Sequence, residues 1–217
     1  MILNKQAKLF SIITICFVLY VVSPTIAHSR NILYKKVIEQ IQYTLNCKRI
    51  NAIKLFNIIN IFADDIQKII SHIASSDNPK QFDQKYIKEV VQQYFESNNS
   101  IVQVSSQTRK NIATYFITDY LQHLSTIKEK YGYTKVKLTF DPEYLGMSKL
   151  EKVGTNKYEL SICMWQFFSG YIDDIEIYND ATRKKFRFFF RKINNLLTVS
   201  VDQICVAETI SKDKYDN

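Results

Sequence analysis

The apolar positions of this chain change period part-way along it. Over residues 31–131 they recur at helical spacing, and over residues 135–209 they alternate. Residues 50–73 set Ile58, Phe62, Ile66, Ile69 and Ile73 on one face and Lys54, Asn57, Asp64, Lys68 and His72 on the other. That pattern predicts an amphipathic helix, with Asp64 and Lys68 paired one turn apart on its wet side. Pro79 should break it, because proline lacks an amide donor and disfavours helix in the residue before it. A second helix follows, with Phe82, Tyr86, Val90 and Tyr94 on one face, then a short strand over residues 101–104. Residues 108–130 read as a long helix turning Ile112, Phe116, Ile117, Tyr120, Leu124 and Ile127 inwards, with Gly132 as its stop.

In the second half, Val136, Leu138 and Phe140 alternate with Lys135, Lys137 and Thr139. Residues 158–170 form a long strand, and residues 185–193 another with Phe186, Phe188 and Phe190 on one face. Val199 and Val201 share a parity that Ile204 and Val206 reverse, so a bulge belongs near Asp202 and Gln203. The two halves together predict an α+β domain, N-terminal helices packed on a strongly curved antiparallel sheet whose last four strands form a meander. This order resembles the nuclear transport factor two-like superfamily, the cone-shaped fold shared with ketosteroid isomerase and the polyketide cyclases. Residues 54–95, 111–131 and 157–208 carry the resemblance. The run from Lys157-Tyr158-Glu159-Leu160 through Trp165, Gly170 and Tyr171 is similar to the long central strand of small exported bacterial members. The resemblance implies a cavity inside the cone.

Lys5 and Lys8, the apolar run over residues 9–22 and the small residues Thr25 and Ala27 follow the order of a secretory signal. The expectation is cleavage after Ala27, a helical extension over residues 28–49, one domain over residues 50–210 and a disordered tail over residues 211–217. The mature protein would be periplasmic or extracellular, with a membrane contact only if the N-terminal segment is retained as an anchor. Cys16 would leave with the signal. Cys47, Cys163 and Cys205 are too few and too dispersed for a disulfide framework or a thiolate zinc site, and one bridge between Cys163 and Cys205 stays open. The formal charge of +8 suits solubility and, secondarily, anionic partners.

Four dispersed glycines exclude a dinucleotide fingerprint or a phosphate-cradling loop, and no metalloprotease helix or nucleophile turn occurs, so neither cofactor nor metal is expected. Asp119 and His123 are the acid–base candidates, one helical turn apart, although neither aligns with the catalytic carboxylate of the enzyme members. A structural role for such a pair is the commoner outcome. Asp173-Asp174 reads as a turn. Lys185, Arg187 and Arg191 share the parity opposite to the phenylalanines and form a candidate anionic surface, while the absence of the RNA-binding glycines argues against nucleic acid.

The sequence therefore predicts a non-catalytic exported binding module of cone-like fold. Its ligand would be a small apolar molecule or a partner protein at the cone mouth, around Tyr158, Trp165, Phe167 and Tyr171. The alternatives are a cofactor-free isomerase, dehydratase or cyclase, and a membrane-anchored subunit of an envelope complex. A homodimer is compatible with all three.

Overall fold

A computed structural model describes residues 24–46, 48–108, 111–143, 148, 150–193 and 196–211. Residues 1–23, which hold most of the segment read as a signal over residues 1–27, Cys47, and residues 212–217 lie outside the described residues. By contact the chain divides into two units, Met1–Val37 and Ile38–Asn217. The first contains the opening turns of helix α1 (Pro24–Leu45), which is helical across Ala27 and His28. No described helix is long and apolar enough to cross a membrane. Everything that follows concerns the second unit.

The helical period of residues 50–73 is realised as α2 (Arg49–Ser75), which ends four residues before Pro79. Lys68 pairs with Asp64 at 2.5 Å on its wet side. The buried stripe is Leu55, Phe56, Ile59, Ala63, Ile66, Ile70 and Ile73: Ile66 and Ile73 are inward as predicted, Phe62 and Ile69 are half-buried at its border, and Ile58 is exposed. α3 (Gln84–Tyr94) starts at Asp83, whose carboxylate accepts from the Tyr86 amide at 2.8 Å.

The long helix predicted for residues 108–130 is not one helix. Ala113–Phe116 is strand β2, antiparallel to β1 (Ile101–Val104), and the helix begins only at Ile117. It is then split at Thr126 into α4 (Ile117–Ser125) and α5 (Ile127–Tyr131). The run Ala-Thr-Tyr-Phe has β-compatible residues with a free strand edge beside it, and tertiary pairing overrides the helical spacing there. Ile112 and Phe116 are exposed as a result, not inward. Gly132 stops α5 in the left-handed conformation at φ 69°, as predicted.

The sheet holds seven strands in the order β2-β1-β7-β6-β5-β3, with β4 (Glu151–Gly154) also on β5. β3 (Lys135–Glu143), β5 (Lys157–Ile172), β6 (Ile175–Ile193) and β7 (Leu196–Ile210) form the antiparallel meander. β1 joins β7 in parallel, which makes the sheet mixed and not wholly antiparallel as predicted. Asp173 and Asp174 both take positive φ in the two-residue turn between β5 and β6, where a tight hairpin demands it. Asp202 is the extra residue of the predicted bulge: Arg187 pairs with Gln203 and Phe188 with Val201. A second bulge at Ala207, between the pairs Arg183–Glu208 and Lys184–Val206, carries no parity signal in the sequence reading. Two bulges in one strand bend the sheet strongly.

Phe186, Phe188 and Phe190 are at most 1% exposed and lie beneath the helices, Phe62 of α2 meeting Phe188 edge-on at 6.4 Å. Gly170 lets the Tyr133 ring close over β5; a Cβ there would come within 2.6 Å of the ring. Cys163 and Cys205 are free thiols, each opposite Lys185 on either side of β6, so a whole strand separates them and the open bridge is not formed.

Candidate functional site: a polar-floored cavity in the cone

β6 keeps one parity from Tyr178 to Phe190 without interruption. The same inner face that presents Phe190, Phe188 and Phe186 to the core therefore goes on to present Lys184, Thr182, Asp180 and Tyr178. Where the helices stop covering this stripe, a cavity of about 280 Å³ opens. β5 contributes Gln166 and Phe168, β3 contributes Leu138, and α4 and α5 roof it with Tyr120, Leu124 and Ile127. One side of the cavity is thus aromatic and aliphatic, and its floor is polar.

Lys184 is 2% exposed and Asp180 is 5% exposed. The Tyr178 hydroxyl donates to the Asp180 carboxylate at 2.5 Å, and the Lys184 amine donates to the Gln103 carbonyl at 2.5 Å. The second bulge explains that last contact. Parallel pairing of β1 with β7 ends at Val102 and Ile204, and beyond it the Gln103 side chain accepts from the Val206 amide at 3.0 Å. Gln103 thus serves the bulged strand through its side chain and Lys184 through its backbone. Among the described residues no carboxylate forms an ion pair with Lys184. Burial pushes its amine down to about 8, with Asp180 only partly opposing the shift. Burial also raises the Asp180 carboxyl above its ordinary range, against the effect of Tyr178 and Lys184, and raises the Tyr178 and Tyr120 phenols.

The acid–base pair read from the sequence does not assemble. The His123 Nδ1 lies 2.8 Å from the backbone carbonyl of Asp119, not its carboxylate, and Asp119 is exposed and does not line the cavity. The His123 ring does line it, 5.0 Å from the Tyr115 ring. None of Tyr158, Trp165, Phe167 and Tyr171 lines the cavity. Gln166 and Phe168 point into it, so Trp165 and Phe167 project from the opposite face of β5. Tyr171 donates to Glu176 at 2.7 Å on that outer face, and Tyr158, though of inner parity, lies towards the far end of the strand opposite Phe190.

On the outer face only Lys185 of the basic trio is exposed. Arg187 is ion-paired with Asp202, and Arg191 forks onto Glu96, one arm at 2.6 Å. Glu96 also accepts from Ser200 at 2.7 Å and from Lys157 at 3.3 Å. Two of the three cations therefore have carboxylate partners, supplied by the bulge residue and by the segment after α3. The described residues hold no group of three or more His, Cys, Asp or Glu placed for a metal ion.

Two helices ahead of a short strand, a further helix, and a long bulged meander wrapped around an internal cavity make the architecture specific. Its fold is nuclear transport factor two-like. No family model matches the chain, and no curated protein matches it in sequence. Among solved structures, the Kfla4162 protein of Kribbella flavida is similar over 66% of this chain and 86% of its own, at 8% identity and a TM-score of 0.37. The β subunit of the benzoate 1,2-dioxygenase of Burkholderia mallei is similar over 70% and 91%, at 11% identity and a TM-score of 0.35. A hexachlorocyclohexane dehydrochlorinase is similar over 71% and 88%, at 6% identity and a TM-score of 0.36. These likenesses carry no argument about chemistry, which has to come from the cavity of this cone.

The sequence reading missed Tyr178, Asp180, Thr182 and Lys184 because it began the β6 strand at Lys185, and missed Gln166 because it looked to the aromatic residues of β5 for the site. The signal was present: extending the parity of Phe186, Phe188 and Phe190 four steps back passes through all four polar residues of β6.

Proposed function

We propose that the protein is an exported module that binds a small, flat, partly apolar molecule bearing an oxygen function in the cone cavity. The carrying observation is the cavity floor. A buried amine and a buried carboxyl are costly to keep even when hydrogen-bonded, and here both line a cavity whose other walls are largely apolar. About 280 Å³ is at the small end of ligand pockets, which suits a single ring with short substituents. Phe168, Leu138 and Leu124 would cover the ring while the inner face of β6 meets the oxygen.

The test is thermal stabilisation by phenol and benzyl alcohol. The midpoint of the wild type is expected to rise with ligand concentration by mass action, and that of Gln166→Trp, which fills the cavity, to stay flat. Absence of a rise in the wild type, or an equal rise in the filled variant, sinks the reading. Export rests on Lys5, Lys8, the apolar run over residues 9–22 and the small residues before His28. Amino-terminal sequencing of the exported protein is expected to begin at His28, and a start at Met1 would support retention as an anchor instead.

A further inference from the structure

We infer that Lys184 is a carbonyl-capturing nucleophile, its amine condensing reversibly with a small aromatic aldehyde or ketone held in the cavity to form an imine. The inference rests on the cavity being the binding site and adds to it a covalent step and a substrate class. Four observations carry it. The amine is on the cavity wall and almost wholly withdrawn from water. Its one hydrogen-bond partner among the described residues is a neutral backbone carbonyl, and no ion pair fixes it as an ammonium. A carboxyl, Asp180, stands on the same inner face with only Thr182 between them, and Tyr178 donates to it. Apolar walls opposite can hold a ring and leave its carbonyl towards the strand.

The step balances without any further reagent. The nitrogen lone pair attacks the carbonyl carbon while the carbonyl π bond breaks towards oxygen, and a proton passes from nitrogen to that oxygen to give the carbinolamine. The C–O bond then breaks and the oxygen leaves as water, taking up one proton while nitrogen gives up its second N–H proton through water; Asp180, two inner-face positions along β6, is the proton donor the cavity supplies. Burial favours both starting forms, the neutral amine and the protonated carboxyl. With its amine down to about 8, roughly a tenth of Lys184 is neutral at pH 7, against well under about a thousandth for an ordinary exposed lysine.

Benzaldehyde with cyanoborohydride at neutral pH, followed by peptide mapping, tests this directly. The expected result is rapid fixation of one benzyl group on Lys184, ahead of every other lysine, and its loss in Lys184→Met. The wild-type map decides even if that variant folds poorly. Benzyl alcohol, the isostere without a carbonyl, reports cavity occupancy separately through the melting midpoint. Label scattered over exposed lysines with Lys184 unmodified, while benzyl alcohol still stabilises the protein, overturns the imine and leaves cavity binding standing. No label at Lys184 together with no response to benzyl alcohol removes both.

Discussion

Lys184→Met is expected to make the protein more stable, by about 2 kcal/mol at pH 7, although it deletes a hydrogen bond. The Lys184 amine ordinarily holds its proton up to about 10.5, and in the folded protein only to about 8. Below about 8 both folded and unfolded chains are protonated, and the folded state carries the full penalty of a buried charge. Between about 8 and 10.5 the unfolded chain keeps a proton that the folded one has shed, so stability rises with pH across that window. Methionine fills nearly the same volume without a charge, and leaves the Gln103 carbonyl without the amine, which offsets about 1 kcal/mol of the gain. Urea titrations of both proteins from pH 7 to pH 9.5 measure the effect. The wild type should gain on the variant as pH rises, and parallel curves would show that the amine is not buried in its charged form at neutral pH. Above about pH 10 the raised phenols of Tyr120 and Tyr178 reverse the slope, since the unfolded chain then loses protons first.

Glu96→Gln is expected to cost about 2 kcal/mol at neutral pH. The carboxylate accepts from both arms of Arg191, from Ser200 and from Lys157, and the fork of Arg191 is the largest cause of the fall in its pKa from 4.5 to about 2. Glutamine keeps the shape, but it presents a neutral acceptor to two cations and turns a donor towards one of them. Its backbone holds the chain to β7 through the Glu96 amide and the Val201 carbonyl at 2.8 Å, so loosening the side chain also loosens the connection from α3 into the sheet. The group's folded value is depressed, so its contribution is fully present above about 4.5 and disappears as pH falls towards about 2. The stability gap between wild type and variant should therefore be widest at pH 7 and close under acid conditions. A gap that is the same at pH 3 as at pH 7 would mean that the carboxylate charge contributes nothing and that only packing was disturbed.

The alternating phenylalanines of β6, the two-residue aspartate turn before it, the break at Pro79, the stop at Gly132 and the bulge at Asp202 were all readable in the sequence, because each follows from a neighbour a few residues away. Local period and turn chemistry therefore determined the α+β class, the long meander and one of its bends. Partnership decided the rest. Ala113–Phe116 has helical spacing and became a strand because β1 offered an unpaired edge, which only the folded sheet supplies. The second bulge lies at Ala207 and is stabilised by Gln103, more than a hundred residues away in sequence. The basic trio has the parity of a charged surface, yet Asp202 and Glu96 neutralise two of its members, and Glu96 arrives from the helical half of the chain. The cavity is the clearest case. Lys184, Thr182, Asp180 and Tyr178 share the parity of the buried phenylalanines, so their direction was determined by the sequence. Whether they met helix or empty space depended on where α4 and α5 end above the sheet, and burial by distant elements, not the local residue pattern, is what converts a row of polar side chains into a site.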